Sequence, residues 1–238
     1  MNNTHAVILA TREIPKELAQ KVTQSGIELR QKNFIVVSQK YNAESFGHSL
    51  NNPHTQARIF TSKNAVYSLQ RLLSSKPRPI APKKNFTVGI RATEMLAEMG
   101  VESNARADNA ISLAQIIARN TDVKAVDFFC GNKSLDDLPE YLESKRIKVH
   151  KEIVYHTTMV HEKIETDDLD GVLFLSPSAV YSFFKKNNLS VNVPAICIGA
   201  TTAEAVHLRC DNPRILADEP TLEGTIDKLI EIFAHEPH

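Results

Sequence analysis

Cysteine is scarce in this sequence, and the pairings that disulfides or metal sites need are missing. The three cysteines, Cys130, Cys197 and Cys210, are odd in number, lie far apart and form no Cys-x-x-Cys pair. Such spacing argues against a disulfide framework. Cys130 and Cys197 lie in apolar, strand-like runs, which predicts reduced thiols in the core of a cytosolic protein.

Neither positive nor negative charge is in excess, and long hydrophobic runs are missing. The 28 Lys and Arg residues balance the 28 Asp and Glu residues, so net charge does not favour a nucleic-acid or anionic-membrane partner. No apolar run approaches the roughly 20 residues of a membrane span. The run at residues 6–10 is too short for a secretory signal and has no basic flank. We therefore expect a soluble, cytoplasmic protein, and 238 residues suffice for one large or two small domains.

One stretch of the sequence occurs twice. Residues 59–66 read Ile-Phe-Thr-Ser-Lys-Asn-Ala-Val, and residues 173–180 read Leu-Phe-Leu-Ser-Pro-Ser-Ala-Val. Apolar residues, a hydroxyl-rich corner and helical spacing predict a buried parallel strand that runs into a helix. The serine would cap the helix, and the remaining N–H groups would point beyond the carboxyl end of the strand, where open α/β sheets bind ligands. A cap alone explains one copy, but two copies at matching places favour a ligand site.

The repetition extends over most of the chain. Residues 7–37 match residues 126–156 in order, the two serine corners follow, and Val88-Gly89 matches Ile198-Gly199. This order indicates a tandem duplication of a βα-rich unit of about 110 to 120 residues. Repeated βα alternation predicts an α/β fold with two doubly wound, parallel-sheet domains. Residues 38–56 are polar and poorly periodic, and we interpret them as a linker followed by an unassigned element.

Several motifs occur in a fixed order, and they are the two serine corners, Val88-Gly89, Ile198-Gly199-x-x-Thr202-Ala203 and Val154-Tyr155-x-Thr157. Together they resemble the uroporphyrinogen-III synthase family over residues 7–233. The duplication by itself suggests two consecutive domains that meet near Asp122. The resemblance implies instead two flavodoxin-like domains with an interleaved chain and a ligand cleft between them. It implies a discontinuous domain of residues 1–34 and 158–238, a second domain of residues 39–152, and a two-stranded linker ladder of residues 35–38 and 153–157.

The resemblance also implies a substrate and a reaction. The substrate is hydroxymethylbilane, a linear tetrapyrrole with many carboxylates, and the product is the macrocycle with its last pyrrole ring inverted. The substrate's hydroxyl leaves as water to give an azafulvene, and the terminal ring closes through a spiro intermediate. The family therefore implies a cyclising hydro-lyase of haem biosynthesis that acts by positioning its substrate. It needs no cofactor and no metal, and we expect a monomer whose partner is this small molecule.

A polycarboxylate requires many donors, which helix N-termini and basic side chains at the carboxyl ends of strands would supply. Arg12 directly follows the first strand and matches the family's Thr-Arg. A solvated side chain is the alternative for each basic residue. The predicted substrate-binding residues are Arg12, Thr61, Ser62, Lys63, Arg91, Thr93, Ser176, Ser178, Thr201 and Thr202.

Tyr155 is the predicted catalytic residue. It matches the family's tyrosine in the second linker strand, and its phenol would donate a proton to the departing hydroxyl. The alternative is an aromatic ring that packs on the ladder. One departure from the family lies at residues 89–93, where Ala92 stands at the position of a threonine. The hydroxyl is lost there unless Thr93 or Arg91 replaces it.

Two other functions stay open from the sequence. One is a non-catalytic, two-domain protein that binds small anions, and the other is an inactive homologue. Tyr155 and Arg12 favour the enzyme, whereas Ala92 keeps the inactive homologue open. His150, His156 and His161 are too loosely spaced to predict a metal site.

Overall fold

The computed structural model describes residues 5–234. Within them, strands and helices alternate along most of the chain. The strands are β1 (Ala6–Ala10), β2 (Ile27–Gln31), β3 (Ile35–Ser38), β4 (Ala57–Phe60), β5 (Lys84–Val88), β6 (Ala105–Ala107), β7 (Ala125–Gly131), β8 (Lys148–Met159), β9 (Gly171–Phe174), β10 (Ala195–Cys197) and β11 (Arg214–Leu216). The helices are α1 (Lys16–Gln24), α2 (Ala43–Leu50), α3 (Lys63–Ser75), α4 (Ile90–Glu98), α5 (Ala110–Ala118), α6 (Asp137–Ser144), α7 (Pro177–Phe183), α8 (Ala200–His207) and α9 (Leu222–Phe233). None of these helices combines the length and the apolar character that crossing a bilayer requires.

The chain divides into two compact units. Unit 1 comprises Met1–Val36 and Thr158–His238, and unit 2 comprises Val37–Thr157. Both boundaries fall inside strands, β3 and β8, which are neighbours in one sheet. The predicted fold class, two doubly wound α/β domains, is confirmed by the two parallel-dominated sheets. The function of β3 and β8 as a linker stays a prediction.

The sheet of unit 1 has the order β11-β10-β9-β1-β2, and each neighbouring pair is parallel. Numbered along the unit, the order is 2-1-3-4-5, that of flavodoxin. Successive side chains of a strand point to opposite faces, and here they enter two separate cores. Leu9 and Phe174 belong to one core, and Ile8 and Leu173 belong to the other.

The sheet of unit 2 has the order β3-β8-β7-β4-β5-β6. Its β8-β7-β4-β5-β6 part is parallel throughout. Counted from β7, these five strands again read 2-1-3-4-5. Each half of the duplicated sequence therefore gives two strands to the sheet of the other half, since β1 and β2 join β9 to β11 while β7 and β8 join β4 to β6.

Helix α2 lies within the segment that the sequence left unassigned. Asn42 caps it, because the Asn42 side chain accepts hydrogen bonds from the backbone N–H groups of Glu44 and Ser45. Gly47 in its interior lowers helix propensity, so the local sequence pattern does not predict this helix. The guanidinium of Arg78 lies against this glycine, because a Cβ atom here would be 1.5 Å from Nη1 of Arg78.

Strand β8 is one continuous strand of 12 residues, and it includes the predicted linker residues 153–157. Its pairing with β7 shifts by one residue near its middle. Cys130 is opposite Ile153, but Gly131 is opposite Tyr155. Val154 is therefore the extra residue of a β-bulge, a feature that changes the direction in which neighbouring side chains point.

Candidate functional site

In unit 2, the point where the strand order reverses lies between β4 and β7. Open α/β sheets bind ligands beyond the carboxyl ends of the strands at such a switch point. Thr61 and Ser62 follow β4, Gly131 ends β7, and Tyr155 lies on the adjacent β8. The fold thus brings the first serine corner and the predicted catalytic tyrosine to the same edge of one sheet.

Ser62 is the N-cap of α3, as its place in the sequence predicted. Its side chain accepts a hydrogen bond from the backbone N–H of Asn64 at 3.1 Å. The helix that follows is amphipathic and buries Val66, Leu69 and Leu72. This packing fixes the direction of the helix axis, and the N-terminal end of the helix, which carries a partial positive charge, therefore lies at the switch point.

Tyr155 is half-buried beside Gly131. A Cβ atom at Gly131 would lie 2.4 Å from Cζ of Tyr155 and 2.8 Å from its hydroxyl oxygen. Burial raises the pKa of the Tyr155 phenol, and a hydrogen bond from the Ser62 side chain acts in the opposite direction. The phenol is therefore protonated at neutral pH, as a proton donor must be.

Asn132 holds the end of β8 next to this tyrosine. Its Oδ1 accepts a hydrogen bond from the backbone N–H of Thr157 at 2.8 Å, and its Nδ2 donates to the Thr157 carbonyl at 3.4 Å. Its own backbone N–H donates to the Tyr155 carbonyl at 3.2 Å. The predicted site residues do not include Gly131 or Asn132, although the Gly-Asn dipeptide directly after a buried strand is the available signal in the sequence.

In unit 2, residues 89–93 hold the first copy of the Gly-x-x-Thr motif, and this copy offers no free hydroxyl. Ala92 is only 1% exposed and packs in the core. The Thr93 hydroxyl donates to the Gly89 carbonyl at 3.1 Å and lies 2.7 Å from the Thr87 hydroxyl. The Thr93 hydroxyl thus has hydrogen-bond partners within the unit, and its replacement of the missing threonine stays a prediction.

Two basic residues of unit 2 lie at helix starts on the same sheet edge. Arg91 is exposed in the first turn of α4 and forms an ion pair with Glu94 at 3.6 Å. Lys63 is exposed at the first position of α3. Both can reach solvent, and their contact with substrate stays a prediction.

In unit 1, the switch point lies between β1 and β9. Thr11 is buried, and both its backbone N–H and its hydroxyl donate to the Leu173 carbonyl, at 3.1 and 2.8 Å. Arg12 follows directly, and its Nε is buried without a hydrogen-bond partner. Burial lowers the pKa of the Arg12 guanidinium. Leaving a buried donor unpaired costs about 1–3 kcal/mol, which an incoming carboxylate would offset.

The other predicted residues of unit 1 differ in how accessible they are. Ser176 caps α7 by accepting from the backbone N–H of Ala179 at 3.3 Å, and Ser178 is half-buried in the first turn. Thr201 is exposed in the first turn of α8, but Thr202 is only 1% exposed. Contact of Thr202 with a substrate stays a prediction.

The two switch points gather phenol, hydroxyl, guanidinium and backbone N–H groups. Such groups donate hydrogen bonds to carboxylates. Among residues 5–234, no group of three or more His, Cys, Asp or Glu side chains has an arrangement that could hold a metal ion. The chemistry of both edges suits an anionic organic ligand.

Comparison with known proteins agrees with this geometry. The sequence matches the profile of the family described as uroporphyrinogen-III synthase HemD over residues 16–227, although no curated protein matches it significantly. The uroporphyrinogen-III synthetase structure of Helicobacter pylori is 18% identical and aligns over 96% of this chain and 100% of its own, with a TM-score of 0.68. A mutant uroporphyrinogen III synthase of Thermus thermophilus is 14% identical and aligns over 95% of this chain and 97% of its own, with a TM-score of 0.70. Because the profile covers most of the chain and these structures share its fold, the protein belongs to the uroporphyrinogen-III synthase family.

Proposed function

We propose that this protein is an active uroporphyrinogen-III synthase, which cyclises hydroxymethylbilane with loss of water and inversion of the terminal pyrrole ring. The observation that supports this most strongly is Tyr155, a half-buried phenol at the carboxyl edge of the sheet whose pKa is raised by burial. A neutral acid in this place suits a reaction whose first step expels a hydroxyl group.

In the proposed first step, the bond between the substrate's terminal methylene carbon and its hydroxyl oxygen breaks. Tyr155 gives the departing oxygen a proton, so that water leaves. The adjacent pyrrole nitrogen keeps its proton, and its electron pair shifts into the ring to form the exocyclic double bond of a cationic azafulvenium, which balances the charge of the phenolate. The Tyr155 phenolate that results is stabilised by the Ser62 hydroxyl.

In the following steps the substrate reacts with itself. The far pyrrole attacks the azafulvene carbon through its already substituted position, which gives a spiro intermediate. That intermediate opens and recloses with the ring inverted, and the proton lost from the ring at the end restores the phenol. The protein has to hold the chain in the conformation that leads to inversion, because the substrate closes without inversion when left alone.

We propose that the predicted donors bind the substrate's carboxylates. Arg12 contributes a guanidinium whose buried Nε lacks a partner, and it therefore gains most from a planar carboxylate. The accessible predicted residues complete the set, and they are Thr61, Lys63, Arg91, Ser176, Ser178 and Thr201.

The test is to incubate the protein with enzymatically generated hydroxymethylbilane and to separate the uroporphyrin isomers by chromatography after oxidation. We expect isomer III in excess over a control without protein. Tyr155→Phe should lower kcat about 10²-fold, the lower end for loss of a general acid. Tyr67→Phe, which removes the hydroxyl of an exposed ring on α3, is the matched control.

The absence of a hydroxyl at Ala92 favours one alternative, in which the protein binds the tetrapyrrole without converting it. In that case the incubation would yield isomer I alone, at the rate of the control. Quenching of intrinsic tyrosine fluorescence by the added tetrapyrrole would then separate a binding protein from one that does not bind at all.

A further inference from the structure

We propose that four features hold the Tyr155 side chain in position. They are the bulge in β8, Gly131 beneath the ring, Ser62 at the N-cap of α3, and Ser68 within α3. Ser62 thereby acts through the tyrosine. This inference deepens the proposed function, in which Tyr155 is the proton donor. Its geometric part is independent of that function and can be tested separately.

The bulge determines which residue of β8 is opposite the end of β7. Without the extra residue, the register that pairs Cys130 with Ile153 would pair Gly131 with Val154. With it, Gly131 is opposite Tyr155 and Val154 is fully buried. The inserted residue thus brings the phenol to the carboxyl edge of the sheet and sends the valine into the core.

Ser68 holds the bulge in place. Its hydroxyl oxygen lies 2.9 Å from the Val154 carbonyl oxygen and 2.9 Å from the Asn64 carbonyl oxygen. One hydroxyl proton is shared between these two acceptors. Ser68 and Val154 are both fully buried, so that loss of the Ser68 hydroxyl would leave the bulge carbonyl without this partner in a site that water does not reach.

Gly131 provides the space that the ring occupies. The positive-φ glycines among the described residues are Gly26, Gly89 and Gly100, so backbone conformation does not require glycine at position 131. The ring requires it, because an added Cβ would lie 2.4 to 2.8 Å from Cζ, Cε2 and the hydroxyl oxygen of Tyr155. Any larger residue would push the phenol out of its place.

Ser62 acts on the phenol oxygen itself. Its oxygen already accepts from the backbone N–H of Asn64, which leaves its own proton to be donated to Tyr155. The phenol proton is then free to be given to a substrate, and the oxygen that loses it keeps a donor. The other titratable group that acts on this phenol is the Cys130 thiol.

The first experiment needs no enzymatic activity. Full-length protein labelled with ¹³Cζ-tyrosine is titrated by NMR, and Tyr155 is assigned from Tyr155→Phe. Ser62→Ala should shift the Tyr155 titration to higher pH, because a donor to the phenolate is lost, and Ser62→Thr should restore it. Asn109→Ala, which removes the cap of α5, controls for the loss of a helix cap. An unchanged Tyr155 titration in Ser62→Ala would overturn the proposal.

The second experiment is a double-mutant cycle with hydroxymethylbilane as substrate. Ser62→Ala should lower kcat about tenfold with little change in KM, and it should have no further effect in a Tyr155→Phe background. Equal losses in both backgrounds would mean that Ser62 contacts the substrate directly, which contradicts the proposal. If the wild type forms no isomer III, the proposed function fails, while the NMR titration still decides the geometry.

The bulge has its own test. Ser68→Ala should move the ¹³Cζ resonance of Tyr155 and lower kcat, whereas Ser75→Ala should change neither, since the Ser75 hydroxyl donates only to Leu72 of its own helix. Gly131→Ser should broaden or displace the same resonance even if the variant is less stable. A Tyr155 resonance that keeps its wild-type position in folded samples of both variants would contradict the proposal that Ser68 and Gly131 position the Tyr155 ring.

Discussion

Arg12 Nε is buried and lacks a hydrogen-bond partner, and among residues 5–234 no other buried side-chain nitrogen or oxygen atom is without one. Arg12→Leu should raise KM for hydroxymethylbilane about 10- to 100-fold, because one charge-assisted hydrogen-bond pair is lost. Arg12→Lys should recover only part of this, since lysine lacks the planar fork. Steady-state kinetics measure both, with exposed Arg106→Leu as control.

The same arginine gives a prediction of opposite sign for stability. Removing an unpaired buried donor does not weaken the free protein, so the urea midpoint of Arg12→Leu should be equal to or higher than that of the wild type. A lower midpoint together with an unchanged KM would show that Arg12 serves the fold and not the substrate.

The acid at Tyr155 predicts a pH dependence. Burial raises its pKa above the ordinary value near 10, and a general acid acts while protonated. kcat/KM should therefore not change with pH through titration of Tyr155 around neutral pH, and it should fall as pH rises through the raised pKa. The alkaline limb should disappear in Tyr155→Phe. A limb that persists in that variant would assign the proton transfer to another group.

At the scale of elements, strands β4, β5 and β7 are joined by a buried polar network. Asp127 is fully buried and accepts from Lys83 Nζ at 3.1 Å and from the Thr55 hydroxyl. Arg58, on the neighbouring strand, is 1% exposed, and burial lowers its pKa to about 10 against the opposing effect of Asp127. The negative charge of the Asp127 carboxylate thus balances the positive charges of Lys83 and Arg58, which would otherwise be costly to bury in the core.

Asp127→Asn should therefore lower the free energy of unfolding by about 3–5 kcal/mol, the usual effect of removing one partner from a buried ion pair. Urea denaturation followed by far-UV circular dichroism measures it. Asp122→Asn, which removes the exposed partner of Lys84, should leave the midpoint unchanged. A loss no larger than that of the control would mean that the network is not essential to these strands.

Local patterns predicted some elements well and failed at others for physical reasons. Apolar runs and serine corners predicted β4 with α3 and β9 with α7, since strand burial and capping are encoded within a few residues. The bulge at Val154 was not predicted, because an apolar run without alternation does not report register. How exposed Thr93 and Thr202 are depends on helical phase to within one residue, which the sequence does not determine.

At the scale of the whole molecule, the exchange of strands between the halves could not be read from periodicity. Ile8 pairs with Gly171, and nothing local to either residue specifies that partner. Family resemblance predicted the interleaved chain, whereas the duplication alone predicted two consecutive domains. The sheet orders follow the interleaved arrangement.

This arrangement makes a prediction for fragments. Residues 37–157 contain all of unit 2 and should fold alone, with a dispersed ¹⁵N–¹H NMR spectrum and a cooperative thermal transition. Residues 158–238 alone lack β1 and β2, two of the five strands of their sheet, and should not fold cooperatively. A cooperative transition in that second fragment would contradict the strand exchange.

The same exchange sets an order of events during synthesis. The backbone N–H of Val7 bonds to the side chain of Asp170, 163 positions later. At about 5–20 residues per second, the emerging N-terminal strands wait roughly 8 to 33 seconds for these partners. The middle of the chain can complete its own sheet meanwhile. The nascent protein thus carries β1 with the edge that will pair with β9 still open through most of translation, and chaperones that hold exposed strand edges on the ribosome would find their binding site there.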